Sequence, residues 1–393
     1  MTPQSTPQPI PQPAPRPPRT EHGIEPLLDW LAVMRQRHRV WRDDHGVCHV
    51  FRYEDVRTVL HDWRVFSSDR SRLMPGEDRL ASGNLTMMDP PQHRKLRSVV
   101  NQVFTPRMVD RLAPRVTEIA VRLLDEVDAE QFDVIECLAH PLPVIVIAEL
   151  LGVPVEDREL FRTWSAGFGA GQESALRALH EYLLEHCAQR RTTPREDLVT
   201  RLLDADVDGR KLDDDEVASM AGLFLLAGHL TTTMLLSSAV QCLMEDPQTA
   251  GRLRADAELL PAAVTEVLRY RPPFTQVSRV TTSTAELGST VLPQGSLVIA
   301  WTLSANHDER YFADPGRFDI GRPVDRQLSF GHGIHFCLGA QLARLETGIA
   351  LRLLLERFTE LSLPAGTRLR YYEAPVFGSQ RLPVRVRRAE LVR

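Results

Sequence analysis

The stretch Phe330-Gly331-His332-Gly333-Ile334-His335-Phe336-Cys337-Leu338-Gly339 stands directly before a long helical pattern, residues 338–358, near the carboxyl end of the chain. Its glycines allow the backbone to approach something flat and close. Cys337 lies at the predicted start of the helix, where backbone N–H groups and the helix dipole stabilise a thiolate. A buried, inert cysteine is the plain alternative for a single thiol. The stretch makes Cys337 the first candidate for chemistry.

Helical patterns dominate the chain around this loop, and strand patterns are few. The predicted helices are 27–37, 53–62, 91–103, 106–127, 141–151, 173–190, 217–240, 260–270 and 338–358. The predicted strands are 47–52, 290–292, 297–300 and 384–386. We find no repeat or linker in residues 21–393, which predicts a single, mainly α domain with small β-sheets. Residues 1–20 are rich in proline and predict a disordered tail.

Composition excludes several classes of protein. The 393 residues carry a formal net charge of −5, which argues against a nucleic-acid binder and against general attraction to anionic lipid. Five scattered cysteines suggest no disulfide framework and fit reduced thiols in the cytosol. The N-terminus has no apolar segment of a signal peptide. We therefore expect a cytoplasmic protein with neither nucleic-acid nor membrane partners.

The segment Val217–Val240 is long enough to imitate a membrane span, since its 24 residues carry no formal charge. Four acidic residues stand just before it, which suits the start of a helix. His229 and three consecutive threonines interrupt its middle, and no basic flank follows. A long helix buried in a protein core is the better interpretation.

Three further patterns imitate binding sites. The glycines of residues 167–171 suggest a phosphate loop but follow no strand. Residues 204–215 resemble a calcium loop, although Asp215 stands where a bidentate Glu is expected. His332, His335 and Cys337 could form half of a zinc site, but no second ligand cluster has the spacing of zinc ligands. A loop, a solvated acidic turn and a role other than zinc binding are the preferred interpretations.

The order and spacing of five motifs resemble the cytochrome P450 family over roughly residues 25–388. The cysteine loop matches the family pattern F-x-x-G-x-[HR]-x-C-x-G at Phe330, Gly333, His335, Cys337 and Gly339. Glu266 and Arg269 match the E-x-x-R pair, and Arg317 matches the arginine that completes the buried ion network of that pair. His93 and Arg97, in residues 88–97, match a segment that holds a haem propionate, and Arg279 matches a further propionate arginine.

The resemblance implies the single-domain fold of that family, a haem b cofactor with Cys337 as the iron ligand, and O2 as co-substrate. The two propionates would be neutralised by His93, Arg97, Arg279 and His335 through charge-assisted hydrogen bonds. An exposed helix face is the alternative for His93 and Arg97 taken alone. The chain has no flavin or nicotinamide module of its own, so the resemblance implies ferredoxin and ferredoxin reductase as partners. We expect them to dock on the arginines near Cys337, including Arg344.

The long uncharged helix aligns with the oxygen-binding kink of the family. Ala227 and Gly228 match the small residues of that kink, and Gly228 would let the backbone open. Thr231 matches the hydroxyl that handles protons, although bonding to the carbonyl of the preceding turn is its alternative role. Leu230 departs from the family because it replaces the usual acid. Protons would then pass through Thr231, water or His229.

Residues 27–60, the kink and residues 270–274 resemble the macrolide-tailoring branch of the family, which includes the erythromycin ring hydroxylase and the tylosin- and rosamicin-type side-chain oxidases. This implies hydroxylation, in one or several rounds, of a macrolide or polyketide carbon in antibiotic biosynthesis. The family layout gives as pocket candidates Leu85, Met87, Leu223, Phe274, Gln276 and Phe377, each of which could equally pack in the core. The alternatives are a steroid or terpenoid hydroxylase, a peroxide-driven haem-thiolate enzyme, and a non-catalytic haem- or macrolide-binding protein.

Overall fold

The computed structural model describes residues 16–73, 84–157, 159–161, 163–164, 172–323 and 326–389. The glycine-rich residues 167–171, and residues 1–15 of the predicted tail, lie outside these ranges. Within them, Thr20 is fully buried against Tyr372 and Ala374, so the folded domain starts before residue 21.

Helices form most of the described fold, as the sequence predicts. They are α1 Glu25–Arg37, α2 Tyr53–His61, α3 Gln92–Val103, α4 Pro106–Asp125, α5 Pro141–Leu151, α6 Glu173–Thr192, α7 Leu198–Asp204, α8 Asp214–Glu245, α9 Pro247–Ala255, α10 Leu260–Tyr270, α11 Thr302–Asn306 and α12 Ala340–Arg357. The nine predicted helices correspond to α1–α6, α8, α10 and α12. The short helices α7, α9 and α11 have no counterpart in the sequence predictions.

The strands are short and form small sheets at the edges of the helical body. They are β1 Val40–Arg42, β2 Cys48–Val50, β3 Phe66–Ser67, β4 Gln131–Asp133, β5 Asp206–Val207, β6 Arg210–Lys211, β7 Val277–Thr281, β8 Ala285–Leu287, β9 Thr290–Leu292, β10 Leu297–Ala300, β11 Phe358–Ser362 and β12 Pro383–Arg388. The largest sheet has the order β1-β2-β10-β7-β3, and β11-β12-β4 form another. In the first sheet β7 pairs antiparallel with β10 and carries Arg279.

Helix α8 contains the predicted apolar segment and runs through the interior. Its start is fixed by a capping box, in which the Asp213 side chain accepts from the Glu216 N–H and the Glu216 side chain accepts from the Asp213 N–H. It packs against α5, α6 and α12, and most of its side chains from Val217 to Leu243 are buried. By length and composition alone α8 could cross a bilayer, but 61% of its apolar window is buried inside the protein.

Candidate active site

The cysteine loop is held by backbone hydrogen bonds and by two glycines with positive φ. The Cys337 N–H donates to the Phe330 carbonyl at 2.9 Å, and the Phe336 N–H donates to the Gly333 carbonyl at 3.1 Å. Gly331 and Gly333 have φ angles of 75° and 74°. A Cβ atom on Gly333 would lie 3.1 Å from the Cα of His61, at the end of α2. Gly333 is therefore required both by its backbone conformation and by this close approach.

The Cys337 thiol lies at the start of α12, as the sequence predicts. The residue is exposed in part, yet protein surrounds the sulfur closely enough that burial raises the pKa of Cys337. The backbone N–H groups of Gly339 and Ala340 and the charges of Arg97 and Arg344 act in the opposite direction. These donors and cations favour a thiolate, and a metal cation bonded to the sulfur would favour it further.

Four nitrogen-bearing side chains from three separate segments lie beside the cysteine loop. The imidazole rings of His93 and His335 have centroids 4.4 Å apart, and the buried Nε2 atom of each ring has no hydrogen-bond partner. Arg279 is buried, and its Nη1 donates at 2.8 Å to the carbonyl of its neighbour Ser278. Arg97 donates from Nη2 to the Phe336 carbonyl at 2.5 Å.

The pKa values of this cluster are lowered chiefly by burial. Burial lowers the pKa of His93 to about 4 and that of His335 to about 3. Burial also lowers the pKa of Arg279 to about 10. Unpartnered polar atoms and buried cations are costly unless a ligand compensates them. Two carboxylates would do so, which means that the residues present fit the propionates of the haem that the resemblance implies.

Two of the three predicted catalytic residues, Ala227 and Thr231, lie on one stripe of α8 together with the pocket candidate Leu223. Leu223, Ala227 and Thr231 follow one another at intervals of four residues, and all three are partly or fully exposed, whereas most of the helix is buried. The Thr231 hydroxyl donates to the Ala227 carbonyl at 2.7 Å. Helix α8 continues through Gly228 without interruption, so the opening expected there is absent. The carbonyl that an opening would free is bonded to the Thr231 side chain instead.

His229 does not lie on the same face as Thr231. It is 1% exposed, its ring packs edge-on against His140, and its Nδ1 donates to the Leu225 carbonyl at 2.8 Å. Burial lowers the pKa of His229 to about 4. The neutral, bonded ring is poorly suited to pass protons towards Thr231. Leu230 is partly exposed and offers no titratable group.

The E-x-x-R pair forms a buried ion network, but its third member differs from the sequence prediction. Glu266 and Arg269 are both 0% exposed and form two hydrogen bonds of 2.7 and 2.8 Å. The prediction that Arg317 completes the network is wrong, because a turn leaves its side chain in solvent and only its carbonyl accepts from Arg269. Arg322 takes that place, with its Nε 3.4 Å from Glu266 Oε1. The only feature of the sequence that could have indicated Arg322 is its position just after the same turn.

Two of the six pocket candidates are core residues. Phe377 is 1% exposed and stacks on Tyr371, and Leu85 is 3% exposed within an apolar cluster. Both predictions are therefore wrong for this structure, since packing already covers these side chains. Val376, beside Phe377, is partly exposed and forms a β-bridge with Phe274.

The other four candidates are accessible or carry an unmet hydrogen bond. Phe274 is 40% exposed, which is unusual for a large apolar side chain. Met87 and Leu223 are partly exposed, and the buried Oε1 of Gln276 has no partner. These side chains are available to a ligand, whereas Leu85 and Phe377 are not.

Arg344 does not point outward from the cysteine loop. Its guanidinium lies 4.6 Å above the centre of the Phe330 ring, and its charge interacts with Cys337. Exposed arginines without an ion-pair partner in the described ranges include Arg94 on α3, and Arg107 and Arg111 on α4, which packs against α12. Arg97, on α3, is bonded to the cysteine loop itself. We call Arg94, Arg107 and Arg111 the basic face.

The residues of the two patterns that imitate metal sites have other contacts in the structure. Asp206 and the residues after it fold as the β5–β6 hairpin, in which Lys211 pairs with Asp204 and Lys95 pairs with Asp208. Among the described residues, no group of three or more His, Cys, Asp or Glu side chains is arranged to hold a metal ion. His332 lies against the ring of His61 instead.

Comparison with known proteins gives a consistent result. A family model described as Cytochrome P450 matches residues 160–387. The erythromycin C-12 hydroxylase of Saccharopolyspora erythraea is 45% identical over 374 residues, which cover 91% of this chain and 94% of that protein. The cyclomarin C epoxidase CymV of Salinispora arenicola is 45% identical over 371 residues, with 90% and 94% covered. The solved structure of a mutant of P450 EryK in complex with erythromycin B has a TM-score of 0.90 and 44% identity, and the match covers 93% of this chain and 98% of that one.

Proposed function

We propose a substrate class for this chain, which belongs to the cytochrome P450 family, binds haem and carries out an oxygenase reaction. The substrate is a macrolide or related polyketide, and the product is hydroxylated at an unactivated carbon, in one or more rounds, during antibiotic biosynthesis. Two similar proteins support this proposal, since one is named as a hydroxylase of erythromycin and another was solved with erythromycin B.

One observation supports the proposed haem site most strongly. The rings of His93 and His335 are adjacent near Cys337, and the buried Nε2 atom of each has no hydrogen-bond partner. When bound, haem supplies the activation of dioxygen for insertion into a C–H bond. His93, Arg97, Arg279 and His335 would hold its propionates, and Cys337 would be the thiolate ligand. Phe330 and Gly339 belong to the same loop, and a Cβ atom on Gly339 would meet open space.

Thr231 is proposed to hold and deliver protons above the haem site. Its hydroxyl is bonded to the Ala227 carbonyl, so it can accept a hydrogen bond from water without losing that contact. Because Leu230 replaces the usual acid and His229 is bonded elsewhere, ordered water is the remaining source of protons. Valine at position 231 would remove this path while keeping the shape of the side chain.

Electrons are proposed to come from a ferredoxin and its reductase in the cytoplasm. The three arginines of the basic face, which have no ion-pair partner among the described residues, would attract an acidic partner close to the cysteine loop. The Gln341 side chain donates to Asp110 Oδ1 at 3.1 Å, which fixes α4 against the start of α12. Arg107 and Arg111 neighbour Asp110 on α4 and so lie near the start of α12, which follows Cys337.

The direct test is turnover by the purified protein with ferredoxin, reductase, NADPH and O2. The panel contains macrolactones, glycosylated macrolides, steroids and terpenoids, and products are identified by mass and NMR. We expect a macrolide to gain one oxygen atom and to shift the haem Soret band on binding. Oxidation of steroids or terpenoids with no macrolide product would refute the substrate class, and the absence of every product would favour a sensor or binding protein.

A peroxide-driven reaction is a second candidate, and Leu230 is the observation that favours it. Turnover with hydrogen peroxide alone would then match or exceed turnover with the electron-transfer partners. If protons limit the partner-driven reaction instead, Leu230→Glu should raise the product formed per NADPH consumed. Leu230→Gln, which lacks a titratable proton, is the matched control.

A further inference from the structure

A short N-terminal arm, residues 19–21, is bonded to a hairpin formed by residues 370–380. The Thr20 hydroxyl donates to the Tyr372 carbonyl at 2.9 Å and accepts from the Ala374 N–H at 3.1 Å. Arg19 Nε donates to Glu373 Oε1 at 2.7 Å, and the Tyr371 N–H donates to the Glu21 carbonyl at 3.0 Å. Thr20 is 0% exposed. These contacts fasten one side of the hairpin to the start of the domain.

The other side of the same hairpin bonds to the segment that precedes β7. The Thr275 N–H donates to the Pro375 carbonyl at 2.9 Å, and the Phe377 N–H donates to the Pro273 carbonyl at 2.8 Å. Phe274 and Val376 thereby face each other across a β-bridge and remain accessible. We call this pair the Phe274–Val376 wall. The tip of the hairpin is thus held between this segment and the N-terminal arm.

The hairpin also touches the catalytic helix directly. A Cβ atom on Gly378 would lie 2.2 Å from the sulfur of Met234, which follows Thr231 by one helical turn on α8. No side chain fits between the hairpin and α8 at this point. A change in the position of the hairpin would therefore move the wall relative to the Thr231 stripe.

We propose that Thr20 is a positioning residue: through the 370–380 hairpin it fixes the Phe274–Val376 wall and so determines the affinity for large ligands at the haem site. The inference rests on the proposed function, because it places that wall at the substrate pocket. It assigns a role in ligand recognition to a residue far from the motifs in sequence. The buried hydroxyl matters more than the Arg19–Glu373 pair, because that pair is largely exposed to solvent.

The test uses the full-length haem protein and two azoles that coordinate iron through a ring nitrogen. Clotrimazole carries bulky aryl groups that would extend into the substrate pocket, whereas imidazole carries none. We expect Thr20→Val to weaken clotrimazole binding about 5- to 10-fold in a Soret titration, since two hydrogen bonds are lost, and to leave imidazole binding unchanged. Thr20→Ser, which restores the hydroxyl, should return the clotrimazole Kd to within about 2-fold of the original.

Thr281→Val is the matched control, because the Thr281 hydroxyl also donates to a carbonyl, that of Pro293, and accepts from the Ser296 N–H at a site that is 1% exposed. Thr281→Val should lower the free energy of unfolding by a similar amount without changing the Kd of clotrimazole or that of imidazole. Should Thr20→Val fail to fold, Glu373→Gln, which weakens the contacts of Glu373 with Arg19 and the Thr20 N–H, should still weaken clotrimazole about 2-fold.

Phe274→Ala separates the inference from the proposed function. If this variant weakens clotrimazole and Thr20→Val does not, the role of Thr20 is refuted while the pocket stands. If Phe274→Ala changes neither Kd, the wall is not at the pocket and the inference is also refuted. Neither azole result depends on whether macrolides are oxidised.

Discussion

The imidazole rings of His93 and His335 lie with centroids 4.4 Å apart, although the two residues are more than 240 positions apart in the chain, and neither buried Nε2 atom has a partner. A folded protein seldom leaves two adjacent buried nitrogens unbonded unless a ligand completes them. The pair is therefore where we propose that the haem carboxylates bind.

Replacing either histidine with phenylalanine should weaken haem retention about 10-fold or more, because a hydrogen bond to a carboxylate is lost. Haem transfer to apomyoglobin, followed by absorbance, measures the effect. His307→Phe is the control, since His307 is also buried with an unpartnered Nε2, but its ring lies beside Tyr270 and not beside His93 or His335. Equal haem loss from all three variants would indicate general destabilisation rather than lost propionate contacts.

Arg322 and Arg317 should differ sharply when each is replaced with alanine. Arg322→Ala removes a cation from beside fully buried Glu266 and a donor to the Asp314 carbonyl, so we expect a loss of about 2–4 kcal/mol in the free energy of unfolding. Arg317→Ala should cost less than about 0.5 kcal/mol, because its side chain is in solvent. Urea denaturation measures both values, and similar losses from the two variants would contradict the assignment.

Glu346 on α12 should make stability depend on pH. Its carboxyl is 2% exposed without a bonding partner in the described ranges, and burial raises the pKa of Glu346 to about 8 from 4.5. Between those values the folded state holds a proton that the unfolded chain has released. Stability therefore falls as pH rises through this window, by up to about 1.4 kcal/mol per pH unit.

Glu346→Gln should flatten this slope, as measured by urea denaturation at about pH 5 and about pH 7. Glu356→Gln, at an exposed position of the same helix, is the comparison and should leave the slope in place. A slope that persists unchanged in Glu346→Gln would assign the pH dependence to other groups.

The rate of reduction by ferredoxin should depend on the charges of the basic face and not on Arg344, because the guanidinium of Arg344 lies over the Phe330 ring. Arg94→Glu or Arg111→Glu should slow the first electron transfer about 10-fold at low salt, with the difference shrinking as salt screens the charges. Substrate and azole affinities should not change. Stopped-flow reduction under CO is the measurement, and Arg368→Glu, an exposed site outside the basic face, is the control. Unchanged rates in the basic-face variants would show that the partner docks elsewhere.

The residues that could be predicted from sequence are those fixed by local spacing. The cysteine loop, the Glu266–Arg269 pair and the long helix each depend on neighbours within one or two turns. Arg322 was missed because a turn, rather than spacing, decides which arginine points inward. Phe377 was misplaced because neighbouring residues of an extended segment face opposite sides, and only the structure shows that Phe377 is buried while Val376 is partly exposed. The burial of Thr20 depends on partners some 350 positions away, which no local pattern encodes.

Because Gly333 lies close against the end of α2, the position of the Cys337 thiol depends partly on a helix near the amino terminus of the chain. Lengthening α2 by even one residue would push on the loop backbone rather than on a flexible side chain. Residues 53–61 support the loop that carries the Cys337 sulfur. They would have to be retained if this loop were transplanted into another scaffold, or if the amino-terminal region were shortened to aid expression.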